Sequence, residues 1–159
     1  MKKIIFFAVA IIAGYAALAQ QKADEVIKLN TDKYDFGKIK QGVPVSTYFE
    51  ITNTSDKPLV VENAWGSCGC TTPEVPKEPI APGSTTKLKV NYNAAAMNHF
   101  EKDVYIKFAG IQDPRVVKIT GEVLDENAYN AYLKENGGTK KATEETKTTT
   151  KQTKTKTGK

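Results

Sequence analysis

The strongest constraint in this sequence is an alternation of apolar and polar residues with a period of two. Val45, Thr47, Phe49 and Ile51 face one way while Ser46, Tyr48, Glu50 and Thr52 face the other. Leu88, Val90 and Tyr92 alternate with Lys87, Lys89 and Asn91, and Val104, Ile106 and Phe108 with Asp103, Tyr105 and Lys107. Val117, Ile119, Gly121 and Val123 alternate in turn with Lys118, Thr120 and Glu122. Successive side chains of a β-strand point to opposite faces, so such segments bury one face and wet the other. That is how antiparallel sheets on a shared core are written; parallel sheets covered on both sides read as continuous apolar runs.

Turn-forming clusters at 53–58, 82–84 and 110–114 separate these segments. Further strands are expected over Val26–Leu29 and Lys33–Phe36, and from Leu59 towards Trp65. The predicted fold class is therefore all-β: an immunoglobulin-like antiparallel sandwich of about seven strands. Two stretches break the pattern. Residues 71–83 hold four of the seven prolines, which predicts an extended edge or a loop with few ladder bonds. Residues 125–137 read as a helix capped by Asp125, with Ala128, Tyr129, Tyr132 and Leu133 on one face and Gly137 to stop it. That face is expected to dock on its own domain, with a partner-binding helix as the alternative.

The two ends are of different character. Lys2 and Lys3, an apolar run from Ile4 to Ala13 and Ala17-Leu18-Ala19 predict a secretory signal over 1–19, cleaved after Ala19. The run is short for a membrane anchor, and no cysteine stands where a lipoprotein would carry one. Residues 138–159 hold seven Lys and two Glu among many Thr, a composition expected to stay disordered. The formal net charge of +5 thus belongs to the ends, and what lies between them carries −2. A globally basic nucleic-acid binder is not supported. The central part, residues 20–124, is one domain of ordinary size, which excludes a multidomain enzyme and a large α/β barrel. Its expected state is exported and soluble.

Chemistry-bearing residues are few. Cys68 and Cys70 are the only cysteines, and they flank Gly69. An even pair in an exported chain points first to a disulfide. A bridge over one residue closes a small ring, stabilises little and should open readily. Two reduced thiols packed as small apolar groups, and metal or catalytic use, are the other readings. His99 is the single histidine. In a sandwich, the turn after Trp65 and the turn before Glu101 can fall at one end. Cys68, Cys70, Met97 and His99 would then offer thiolate, thioether and imidazole, a set suited to Cu(I). Trp65, turned inward, would anchor its strand and hold the cysteine turn at the rim. No nucleophile elbow, phosphate loop, calcium loop or basic–aromatic stripe is present, so no catalytic residue and no cofactor is expected. Asn53-Thr54-Ser55 matches a glycosylation acceptor, but the match is short and the signal is of bacterial type.

An ordered set of residues also carries a likeness. Asp35-Phe36-Gly37, Gly42, Phe49-Glu50-Ile51-Thr52-Asn53, Pro58-Leu59, Ser67-Cys68-Gly69-Cys70-Thr71, Ile80-Ala81-Pro82-Gly83 and Gly121 together resemble the DUF 1573 family of exported bacterial proteins. The resemblance covers about residues 26–124. It implies an immunoglobulin-like sandwich similar to Hydin-type domains and a secreted, periplasmic or surface location, and it brings no activity. His99 departs from it, standing where relatives tend to have glycine. The expected function is a non-enzymatic binding or scaffold module of the cell envelope, its partner an envelope protein or polymer. The basic tail would add contact with an anionic surface. The alternative is a thiol-redox or copper-handling protein acting through Cys68 and Cys70.

Overall fold

The structure, a computed structural model, describes residues 22–136. The signal expected over 1–19, the tail expected over 138–159 and the expected helix stop at Gly137 lie outside the described residues. After a 3₁₀ turn at Ala23–Glu25 come β1 (Ile27–Leu29), β2 (Lys33–Lys40), β3 (Val45–Asn53) and β4 (Val61–Gly66). Then follow β5 (Thr71–Glu74), β6 (Thr85–Tyr92), β7 (Asn98–Phe108), β8 (Arg115–Leu124) and the helix α1 (Glu126–Glu135). One sheet has the order β1-β3-β6-β5 and the other β2-β8-β7-β4.

The alternation does what it implied. Phe49, Ile51, Leu88, Val90 and Tyr92 of the first sheet are buried against Val104, Ile106, Phe108, Val117, Ile119 and Val123 of the second. Burying such apolar area is the main favourable term in folding. Gly121 belongs to this inner face for a steric reason. A Cβ there would lie 2.8 Å from the Phe100 ring and 2.9 Å from the Gly37 carbonyl oxygen. Phe100 in turn stacks on Tyr92, with ring centroids 4.1 Å apart.

The strands number eight, in keeping with the expected seven or so, and the proline-rich stretch opens with β5, a four-residue edge strand paired to β6, as its prolines implied. The sandwich is not wholly antiparallel: β2 runs parallel to β8, from Lys33 opposite Lys118 to Lys40 opposite Leu124. Its register slips between Asp35 and Lys38. There Gly37 takes a φ of +66° and donates its N–H to Asp35 Oδ1 at 2.9 Å, a conformation open to glycine. The glycosylation match fails too. Asn53 is 0% exposed, and its Nδ2 donates to the carbonyls of Lys57 at 2.7 Å and Ile80 at 2.8 Å. Its Oδ1 accepts from the Ser55 backbone N–H at 2.9 Å and from Ser55 Oγ at 2.7 Å. Asn53 is a clip holding two loops together.

The helix forms where expected, with Asp125 accepting from the Ala128 N–H at 2.9 Å. Its docking is partial. Tyr129, Tyr132 and Leu133 are half-buried but Ala128 is exposed. Lys38 Nζ lies 5.1 Å from the Tyr132 ring centroid, and Lys40 Nζ reaches Glu126 at 2.6 Å.

Candidate functional site

Trp65 and Gly66 close β4 in one sheet, and Thr71 opens β5 in the other. The chain must therefore cross the sandwich in the four residues Ser67, Cys68, Gly69 and Cys70. Gly66 makes the crossing possible, because a Cβ there would run into the Thr71 carbonyl oxygen. The crossover is tied on both sides. Ser67 N–H donates to Asp103 O at 2.8 Å, and Asp103 N–H returns a bond to Ser67 Oγ at 3.2 Å. Thr71 N–H donates to Cys68 O at 3.2 Å, and Asn93 N–H to Cys70 O at 3.0 Å.

Cys68 and Cys70 are joined in a disulfide with their Cα atoms 5.2 Å apart. Both are half-buried, and Cys70 packs against the core. Gly69 does not take a left-handed φ, and a Cβ on it would meet nothing within 4 Å. Its side of the turn is open space. The group that meets both sulfurs is the Thr71 hydroxyl, 3.6 Å from Cys68 Sγ and 3.8 Å from Cys70 Sγ. Thr71 is 3% exposed. Read along the chain alone, this contact shows only as a hydroxyl standing next to a cysteine.

The copper set is not assembled. The bond from Asn93 to Cys70 does bring the residues leading to Met97 to the same rim as the cysteine turn. However, sulfurs bonded to each other offer no thiolate, and among the described residues no three His, Cys, Asp or Glu side chains group to hold a metal. His99 lies inside β7 rather than in a loop before it, exposed and opposite Glu122. It sits ~13 Å along the strand from Asp103, to which the turn is tied, at ~3.3 Å per residue. Met97 is 50% exposed.

Trp65 points outward. A register shift between Val61 and Asn63 resets the alternation of β4, so Ala64 packs on the core and Trp65 turns away. It lies opposite Tyr105, and their rings stack with centroids 5.5 Å apart and an interplanar angle of 13°. Tyr105, expected to be exposed, is half-covered in consequence, whereas Tyr48 on the other sheet is exposed. Beside this stack runs a charged row. Lys118 Nζ meets Glu101 at 2.6 Å and Asp103 at 3.4 Å, and Lys33 meets Glu101 at 3.5 Å. The hydrogen bond from Lys118 holds the Glu101 carboxyl below the usual carboxylate range, helped by the charges of Lys118 and Lys33. Two concavities, one lined by Asp24, Asp113 and Arg115 and one by Ser55, Leu59 and Ile111, lie at the far end of the sandwich.

Fold and site together define an immunoglobulin-like sandwich whose short sheet-to-sheet crossover carries a disulfide. The chain belongs to the DUF1573 family, described as "Protein of unknown function", which matches residues 27–123. No protein of curated function matches the sequence. Among solved structures, a protein of unknown function from Porphyromonas gingivalis W83 is 23% identical with a TM-score of 0.54, over 67% of this chain and 50% of that one. The secreted serine protease VesC of Vibrio cholerae is 12% identical with a TM-score of 0.50, over 69% of this chain and 26% of that one. A PapD-like domain of human CEP192 is 7% identical with a TM-score of 0.47, over 62% of this chain and 85% of that one. The chain thus spans about half of the Porphyromonas protein and about a quarter of VesC. Likeness at these identities is likeness of fold alone.

Proposed function

We propose that this chain is an exported, non-enzymatic binding or scaffold module of the bacterial cell envelope. The observation that carries the reading is the outward stack of Trp65 on Tyr105, with Trp65 40% exposed on a sheet face whose neighbouring charges are paired. Large aromatic rings left at a surface are favoured anchors for a partner. The edge β5 supports docking by a face rather than by strand addition. It is four residues long, contains Pro73, and is followed by Pro76 and Pro79, devices that blunt an edge. The signal-like N-terminus supports export, and the lysine-rich tail would add a salt-sensitive contact with an anionic surface.

The test is recovery of partners from envelope extract at several salt concentrations, with wild type, Trp65→Ala and the control Tyr48→Ala. A protein or polymer held by wild type and Tyr48→Ala but released by Trp65→Ala is the expected result. Recovery of nothing at any salt concentration overturns the reading.

A further inference from the structure

We propose that the Cys68–Cys70 disulfide is a site of thiol–disulfide exchange, accepting two electrons and two protons from a dithiol of another protein. The inference stands apart from the docking reading and rests on three features of the crossover.

First, the turn is held without its sulfur–sulfur bond. The paired bonds of Ser67 and Asp103, the Thr71 N–H on Cys68 O and the Asn93 N–H on Cys70 O fix the backbone on both sides. A bridge spanning one residue removes little freedom from the unfolded chain, so opening it leaves the sandwich standing. Second, one sulfur can be reached. Both cysteines are only half-buried and Cys70 is the one that packs against the core, so an incoming thiolate meets Cys68. Third, Thr71 is buried with its hydroxyl on the sulfurs, 3.6 Å from Cys68 and 3.8 Å from Cys70. An O–H so placed donates to whichever sulfur becomes anionic, and a hydrogen bond to a charged acceptor is stronger than one to a neutral acceptor.

The exchange then runs in two displacements. A partner thiol releases its proton to solvent and its thiolate attacks Cys68 Sγ. A partner–Cys68 disulfide forms, the Cys68–Cys70 bond breaks, and its electron pair leaves on Cys70 Sγ, which accepts the Thr71 hydrogen bond and then a proton. The partner's second thiol, deprotonated in turn, attacks its own sulfur in the mixed disulfide. The partner's disulfide forms, and Cys68 departs as a thiolate that is protonated. The partner dithiol has been oxidised and the Cys68–Cys70 pair reduced to two thiols.

The probe is a synthetic peptide with two cysteines, reduced, added to the full chain while sulfur alkylation is read by mass and tertiary structure by near-ultraviolet circular dichroism. Both sulfurs should become alkylatable with second-order kinetics and no loss of the tertiary signal. Thr71→Val should slow the exchange about tenfold, the worth of one hydrogen bond to a charged sulfur, and Thr71→Ser should restore it. Cys70→Ser should accumulate a mixed disulfide at Cys68 when given the disulfide-linked dimer of a one-cysteine form of the peptide, which has no second thiol to resolve it. Alkylation that begins only where denaturant abolishes the tertiary signal overturns the proposal, and this wild-type result decides even if Thr71→Val fails to fold. A folded Thr71→Val protein that exchanges at the wild-type rate overturns it equally.

Discussion

Asn53 concentrates more hydrogen bonding than any apolar core residue, and it does so fully buried. Its amide satisfies the carbonyls of Lys57 and Ile80 and accepts twice from Ser55, while its backbone N–H reaches Ser84 O and its carbonyl takes the Gly83 N–H, both at 2.9 Å. Removing one side of a buried network strands the partners, and each stranded group costs about 1–3 kcal/mol. Asn53→Ala should therefore destabilise the domain by roughly 3 kcal/mol and lower the thermal midpoint by on the order of 10 °C, measured by calorimetry. The sequence offered Asn53 only as the end of a strand and a short modification match. Its side chain works across 27 residues to Ile80, a distance no local pattern records. Thr71 is similar: hydroxyl and sulfur are adjacent in the chain, but which way the hydroxyl points is set by the crossover.

The strands that alternate cleanly, β3, β6, β7 and β8, were legible because each buries one face and wets the other. The misread elements obey forces that do not write themselves into a period. β4 changes face at a bulge, which turns Trp65 outward. The parallel pairing of β2 with β8 joins segments more than 80 residues apart and leaves no local trace. The helix was legible from its cap, which also gives a test. Asp125→Ala should remove about 1 kcal/mol of capping, so amide exchange across α1 should quicken about fivefold. Amides of β3, β6, β7 and β8 should exchange unchanged, since α1 meets the sandwich through Lys38, Lys40 and three half-buried side chains.

The domain as a whole should respond to pH at both extremes and little between. Glu101 is held low first by the hydrogen bond from Lys118, and Glu74 first by the amide of Asn91 and then by Lys89. Carboxyls lowered in the fold stabilise it above their unfolded value and lose that contribution as pH falls through the folded one. Tyr92 is raised by burial, and Lys118 by its hydrogen bonds to Glu101 and Asp103. Groups raised in the fold stabilise it below their unfolded value and lose that contribution as pH rises through the folded one. Thermal melts should thus show a plateau from about pH 5 to about pH 9, with a decline on each side. Because the carboxylate pairs are exposed, about 1 M salt should shrink the acidic decline. The parallel ladder of β2 and β8 has a mechanical consequence. The chain enters β2 at Lys33 and leaves β8 at Leu124, opposite ends of the same ladder. Tension drawn through the two ends of the domain would first peel the three-residue β1, and would then load the β2–β8 hydrogen bonds together in shear rather than one after another. A sandwich wired in this way resists being pulled apart by its two ends.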